Sequence, residues 1–204
     1  FLLRGEHPFA DFAHHEMPLH LYLLALFGKV FGQTVFGYRL LSLASIAASG
    51  LLLFALAHPF VGPLAALIAQ SVFLFSPLQS RALTAVPESP MVAFTLLGAW
   101  LLFAHRTRWS AYASGIAFVG ALVIKPTCLP MDFAAALSLM YARDWRRLRD
   151  LAVSGIVAAT VSLVWAIYAS DGVFAEVLFF QVGRLSTRSA SMWSIDSGFA
   201  DMRR

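Results

Sequence analysis

Residues 40–80 read LLSLASIAASGLLLFALAHPFVGPLAALIAQSVFLFSPLQS and contain no Asp, Glu, Lys or Arg. About 20 apolar residues cross the hydrocarbon core of a bilayer as a helix, so an uncharged run of this length predicts two membrane-spanning helices. A His-Pro and a Gly-Pro dipeptide within 58–63 predict a tight turn between them. We expect the first helix to cover about 37–58 and the second to continue to about Ser80.

The rest of the chain has the same apolar character. Its 204 residues are 59% hydrophobic and only 13% charged, whereas a soluble domain carries about 25% charged residues. This composition excludes a soluble enzyme. Further membrane-spanning helices are expected near 90–104, 110–127, 129–142 and 151–170. The predicted fold class is an all-α polytopic membrane protein with about six transmembrane helices.

The N-terminal segment differs from these spans. It contains several prolines, and the apolar stretch after Pro18 is only about 13 residues long, which suits a helix lying in the membrane interface. We therefore divide the chain into an outer-face loop with an interfacial helix (1–37), a transmembrane domain (38–170) and a second outer-face loop (171–204). Because the sequence starts with Phe1 rather than Met, we expect it to be an internal piece of a longer membrane protein.

The arginines predict the orientation in the membrane. The segments HRTRWS (105–110) and YARDWRRLRD (141–150) hold six arginines, whereas 80–88 holds only Arg81. Cytoplasmic loops are enriched in Lys and Arg, so the N-terminal segment, 80–88 and the region around Lys125 are expected on the outer face. Basic residues confined to short loops are typical of membrane topology and argue against a nucleic-acid partner.

Polar groups near the outer ends of the spans are the candidates for chemistry. The stretch FADFAHHEMPLH (9–20) brings together Asp11, His15 and Glu16. Carboxylates and imidazoles at this density suit a divalent metal, a phosphate contact or a general base. A solvated loop is the alternative, and the spacing fits no established zinc motif.

Three further residues lie at the edges of apolar spans. Glu88 stands between two prolines, where it is either a site acid or a helix-capping acid. Lys125 ends a long apolar run and either neutralises a lipid phosphate or extends to the interface. For Arg39, anchoring at the membrane edge is the simpler interpretation. The arginines of 141–150 are assigned to topology, with lipid headgroup contact as a minor alternative.

Several short motifs follow one another in a fixed order. They are GEHPFADF at 5–12, HHEMPLHLYLLALFGKVFG at 14–32, RLLS at 39–42, SRALTAVPES at 80–89, Lys125 and RDWRRLRD at 143–150. In this order the sequence resembles the GT-C superfamily of integral-membrane glycosyltransferases over about residues 4–170. It is most similar to the bacterial group related to protein O-mannosyltransferases and to the lipid A aminoarabinose and lipopolysaccharide-core galacturonosyl transferases.

The resemblance implies a partial GT-C fold and a reaction. Such enzymes take a sugar from a polyprenyl-phosphate donor and pass it, usually with inversion, to a lipid, glycan or protein acceptor. We expect a bacterial inner-membrane protein with its site facing outside. The expected catalytic acids are Asp11, Glu16 and Glu88, and the expected phosphate or donor contacts are His15, Lys125 and Arg39. A divalent metal is left open as a cofactor.

In the family, the leading catalytic aspartate precedes the first of these motifs. We therefore expect this chain alone to be inactive. The residues themselves are also compatible with two other classes of membrane protein. A transporter or lipid flippase would favour polar residues in mid-membrane and an internal repeat, and a structural subunit of an envelope complex would have no need for Glu88.

Overall fold

The computed structural model describes residues 18–76 and 85–169. These residues form six α-helices and one 3₁₀ turn, and no strand occurs within the two ranges. The all-α class is therefore confirmed. The helices are α1 (Pro18–Phe31), α2 (Val35–Leu74), α3 (Glu88–Ala104), α4 (Arg108–Ile124), α5 (Leu129–Tyr141) and α6 (Trp145–Ala169), and the 3₁₀ turn covers Pro126–Cys128.

α1 corresponds to the predicted interfacial helix. Proline is favoured at the first position of a helix, where its missing N–H leaves no unsatisfied donor, and α1 begins at Pro18. Gly28 faces α2 so closely that a Cβ there would lie 2.7 Å from Cε1 of Tyr38. The ring of Tyr22 packs edge-on against Trp165, with 4.9 Å between the ring centroids. α1 therefore contacts both the beginning of α2 and the last turns of α6.

α2 is a helical hairpin rather than one continuous rod. Its backbone leaves the helical region at Gly62, with φ 82° and ψ 169°, a conformation that glycine adopts without steric cost. A Cβ on Gly50 would lie 2.9 Å from Cδ2 of Leu74, so the two arms lie side by side. The turn predicted within 58–63 is confirmed. The second arm ends at Leu74, whereas the sequence predicted a helix continuing to about Ser80.

α3 and α4 are both 17 residues long and pack antiparallel. The Ser114 hydroxyl donates a 2.7 Å hydrogen bond to the carbonyl of Gly98. Phe118 also covers Gly98, and Phe94 covers Gly120. These contacts pair the middle of one helix with the middle of the other. The start of α3 and the end of α4 consequently lie at the same end of the bundle, which we call the site end.

α6 runs parallel to α4 and begins earlier than predicted. Asp150 of α6 accepts a 3.0 Å hydrogen bond from Nε of Arg108 at the start of α4, so both helices begin at the opposite end of the bundle, here the arginine end. The sequence predicted a loop over 141–150, but α6 already starts at Trp145. Asp144 caps it, because its Oδ1 accepts a 3.2 Å bond from the backbone N–H of Arg147. The structure thus corrects the boundary of the last span.

The distribution of side chains is that of a membrane helix bundle. Buried positions include many serines, whose small side chains allow close helix–helix approach. They are Ser42, Ser45, Ser49, Ser89, Ser110, Ser114 and Ser154. Large apolar side chains face outward instead, and on α6 these include Ile156, Val157, Val161, Leu163 and Val164. The core cluster comprises Leu102, Ala111, Phe118, Ala135, Leu139 and Leu151.

Two helices of the described ranges are long and apolar enough to cross a membrane by length and composition. They cover Val35–Leu74 and Trp145–Tyr168. α1, α3 and α4 are shorter apolar helices, and α5 has 13 residues. The count of about six transmembrane helices stays a prediction.

We expect Gly115→Ala to destabilise the packing of α4 against α6. The added Cβ would overlap Oγ of Ser154 and lie 2.6 Å from the carbonyl oxygen of Leu151. Overpacking of this kind costs about 1–3 kcal/mol, more than the gain of roughly 1 kcal/mol in helix propensity. Gly155→Ala is the matched control, because a Cβ there meets no atom within 4 Å. Unfolding in detergent should show Gly115→Ala as less stable than the parent and Gly155→Ala as at least equally stable.

Candidate functional site

Glu88 lies in the first turn of α3, at the site end. Pro87 precedes the helix and Pro90 occupies its third position, so the helix start is fixed by residues with a restricted φ. Pro87 makes no side-chain capping bond. The Glu88 side chain is 48% exposed, and its charge lies where the helix dipole favours a carboxylate.

Lys125 follows the last turn of α4 at the same end. Its backbone is extended, with φ −159° and ψ 122°, because the residue before a proline is disfavoured in the helical region and Pro126 comes next. Its N–H still donates to the carbonyl of Ala121 at 2.9 Å. The Lys125 side chain is 33% exposed. The chain therefore leaves the helix at the point where the ammonium group can reach α3.

Glu88 and Lys125 form an ion pair between Oε1 and Nζ. They are 37 residues apart in sequence and meet because α3 and α4 are antiparallel and of equal length. Since both side chains are partly exposed, solvent screens the attraction, and such pairs contribute little to stability. The consequence for function is positional: the carboxylate holds one cation in place at the rim of an apolar bundle.

The 3₁₀ turn after Lys125 packs onto α3 beside Glu88. The Thr127 hydroxyl lies 3.3 Å from Sδ of Met91. Cys128 is buried, and its burial, together with the nearby charge of Asp132, raises the pKa of the thiol to about 11. Because the thiolate is the reactive form, this shift disfavours Cys128 as a nucleophile.

Asp132 is a partly buried acid near the site end that is not among the predicted site residues. It lies in the first turn of α5, one helical turn after Cys128, and its Oδ2 is 4.0 Å from the Cys128 sulfur. Its Oδ1 is buried without a hydrogen-bond partner among the described residues. The signal was available, because CLPMDF combines a helix-starting proline with a nearby acid.

The other predicted site residues do not join this pair in the structure. Asp11, His15 and Glu16 lie outside the described residues. Arg39 is exposed on α2 and has no ion-pair partner among the residues the structure describes. Within 18–76 and 85–169, no group of three His, Cys, Asp or Glu side chains could hold a metal ion.

Comparison with known proteins identifies the family. The family model described as dolichyl-phosphate-mannose-protein mannosyltransferase matches residues 7–169, which covers every helix described above. No curated protein and no solved structure matches the chain. The match confirms the resemblance to the GT-C glycosyltransferases. The chain therefore belongs to the dolichyl-phosphate-mannose-protein mannosyltransferase family, membrane glycosyltransferases that use polyprenyl-phosphate sugar donors.

Proposed function

We propose that this protein transfers a sugar from a polyprenyl-phosphate donor to a lipid, glycan or protein acceptor on the outer face of the membrane. The observation that carries this proposal is the Glu88–Lys125 ion pair at the site end, in a chain of this family. The site end is the end away from the arginines of 105–110 and 141–150. The positive-inside rule supports an outer-face site, and we propose the bacterial inner membrane as its location.

Lys125 is the proposed contact for the donor phosphate. When the bond between the sugar C1 and the phosphate oxygen breaks, its electron pair stays on the phosphate. A preorganised cation stabilises this developing charge, and it contributes most where water is excluded. Lys125 supplies a compact ammonium group at the bundle rim. His15 and Arg39 are proposed as further phosphate contacts on the same face.

Glu88 has two proposed roles that follow each other in time. Without donor it holds Lys125 in the ion pair. When the donor phosphate replaces Glu88 as the ion-pair partner of Lys125, the carboxylate becomes free. It can then accept the proton of the acceptor hydroxyl as the new C1–O bond forms. A single displacement of this kind inverts the configuration at C1. Asp11 and Glu16 are proposed as additional acids that shape the site.

The distribution of charge favours transfer over transport. In the described residues of α2, α3, α4 and α6, every Asp, Glu, Lys and Arg lies within about two turns of a helix end. A transporter typically carries its polar groups and broken helices near the midplane of the membrane.

A donor panel tests this proposal. Membrane vesicles containing the protein, with any sequence that flanks this chain in its gene, are given radiolabelled polyprenyl-phosphate sugars and an envelope extract as acceptor. We expect release of free polyprenyl phosphate from one donor, accompanied by label in the acceptor. Absence of release from every donor by folded protein would contradict the proposal and favour transport.

A further inference from the structure

The arginine end of the bundle is rich in exposed arginine side chains. It consists of the connections between α3 and α4 and between α5 and α6, together with the helix turns that flank them. This part of the chain holds six arginines and two aspartates. Five of the arginines are exposed, namely Arg106, Arg108, Arg143, Arg146 and Arg149.

The two aspartates offset the charge of only some of these arginines. Asp150 is buried and accepts hydrogen bonds from Nε of Arg108 at 3.0 Å and from the Tyr112 hydroxyl at 3.2 Å. Asp144 pairs with Arg147, at 3.8 Å between Oδ2 and Nη1. Asp150 also pairs with Arg149, at 3.4 Å between Oδ1 and Nη2. The other three exposed arginines have no ion-pair partner among the described residues; they are Arg106, Arg143 and Arg146.

Aromatic side chains lie among these arginines. Trp109, Tyr141 and Trp145 belong to three different helices, and each side chain is more than half exposed. Trp and Tyr are enriched at the headgroup level of membranes, because one part of the ring system is apolar and another is polar. The alternation of arginine and aromatic residues is therefore suited to the headgroup layer.

The backbone at Arg143 provides independent support. The N–H of Asp144 bonds to the carbonyl of Leu139, and the N–H of Arg143 bonds to that of Met140, both at 3.0 Å. This is the Schellman pattern that ends many helices, and its left-handed position is usually glycine. Arg143 occupies it with φ 54°. An exposed cation therefore stands at a backbone position that favours glycine.

We propose that the arginine end binds the anionic headgroups of phospholipids in the adjacent leaflet, through Arg106, Arg143 and Arg146. Guanidinium groups match phosphate oxygens with two parallel hydrogen bonds. A basic residue near an anionic membrane surface contributes about 1 kcal/mol, which corresponds to roughly fivefold in affinity. The surface thus selects anionic over zwitterionic lipid, independently of the proposed transfer reaction.

Lipid selectivity tests this inference. The protein is reconstituted in vesicles of phosphatidylcholine and phosphatidylglycerol, with one of the two lipids carrying brominated chains. Quenching of tryptophan fluorescence then gives the preference for each lipid at the protein surface. We expect a preference for phosphatidylglycerol that falls about fivefold in each single variant, Arg106→Gln, Arg143→Gly and Arg146→Gln, and by roughly 100-fold, the product of the three effects, in the triple variant.

Two controls separate lipid binding from loss of structure. Arg143→Gly places the favoured residue in a left-handed position, so this variant should unfold at the same temperature as the parent or higher while losing selectivity. Lys29→Gln removes an exposed cation from α1 and should leave the preference unchanged. The inference is overturned if the triple variant keeps the parental preference or if Lys29→Gln lowers the preference equally. It is also overturned if inorganic phosphate competes for the protein surface as effectively as phosphatidylglycerol, because the site would then recognise free phosphate rather than a lipid headgroup.

Discussion

Sugar transfer should fall by about tenfold or more when Glu88 is replaced by Gln, because this removes the carboxylate that we propose to position Lys125 and to take up the acceptor proton. The substitution keeps the size of the side chain and leaves a carbonyl oxygen that can still accept a hydrogen bond from Lys125. Folding should therefore be preserved, since the ion pair is partly exposed. The measurement is initial-rate release of polyprenyl phosphate in membrane vesicles, with expression level measured in parallel.

A charge exchange distinguishes catalysis from structure at this site. Lys125→Gln should also lower turnover, and the double variant Glu88→Gln/Lys125→Gln should lose less than the two single effects combined, because the residues act as a unit. The exchanged pair Glu88→Lys/Lys125→Glu rebuilds an ion pair in reverse. It should keep the parental stability but not restore transfer, because the cation is moved to the other helix. Parental rates in Glu88→Gln would remove this residue from the site.

Replacing Arg147 by Gln should lower the free energy of unfolding by about 3 kcal/mol. The side chain is only 13% exposed, and its Nη2 donates to the carbonyls of Leu102 and His105. These carbonyls belong to the last turn of α3 and the residue after it, where a helix lacks internal partners. A cation there also interacts favourably with the helix dipole. Denaturant titration in detergent micelles measures the loss.

Two neighbouring substitutions decide between this capping role and the topological role expected from the sequence. Arg146→Gln removes the same charge from an exposed position and should leave stability nearly unchanged. Arg147→Lys keeps the charge but lacks the planar guanidinium group that bonds both carbonyls. It should therefore be more stable than Arg147→Gln and less stable than the parent. If Arg146→Gln and Arg147→Gln have equal effects, and Arg147→Lys is fully stable, charge alone matters and the capping role is wrong.

Local patterns were sufficient to predict most helices and their turns. The uncharged run with its Gly-Pro dipeptide predicted the hairpin at Gly62, and Pro18 followed by a short apolar stretch predicted α1. These features depend on residues close in sequence. The early start of α6 differs from the prediction because five charged residues within 143–149 favour a loop by composition, whereas Asp144 acts as the N-cap of a helix.

Contacts between residues far apart in the sequence could not be predicted from local sequence patterns. Glu88 and Lys125 were each identified as candidates, but their ion pair depends on the equal lengths of α3 and α4 and on antiparallel packing. The burial of Asp150 likewise depends on the approach of α6 to α4 across Gly115. Such contacts are tertiary, and no periodicity within a single helix encodes them. The roles of Asp11, His15 and Glu16 stay predictions.

The equal length of α3 and α4 also bears on how the protein fits its bilayer. At 17 residues each, they span about 25 Å, less than the roughly 30 Å of a typical hydrocarbon core. For the predicted transmembrane arrangement, we expect a mismatch of this size to be met by local thinning of the bilayer. In the proposed reaction, a phosphate carried on a long isoprenoid chain would then meet Lys125 below the ordinary headgroup plane. Acyl-chain length would thus tune how readily donor reaches the ammonium group.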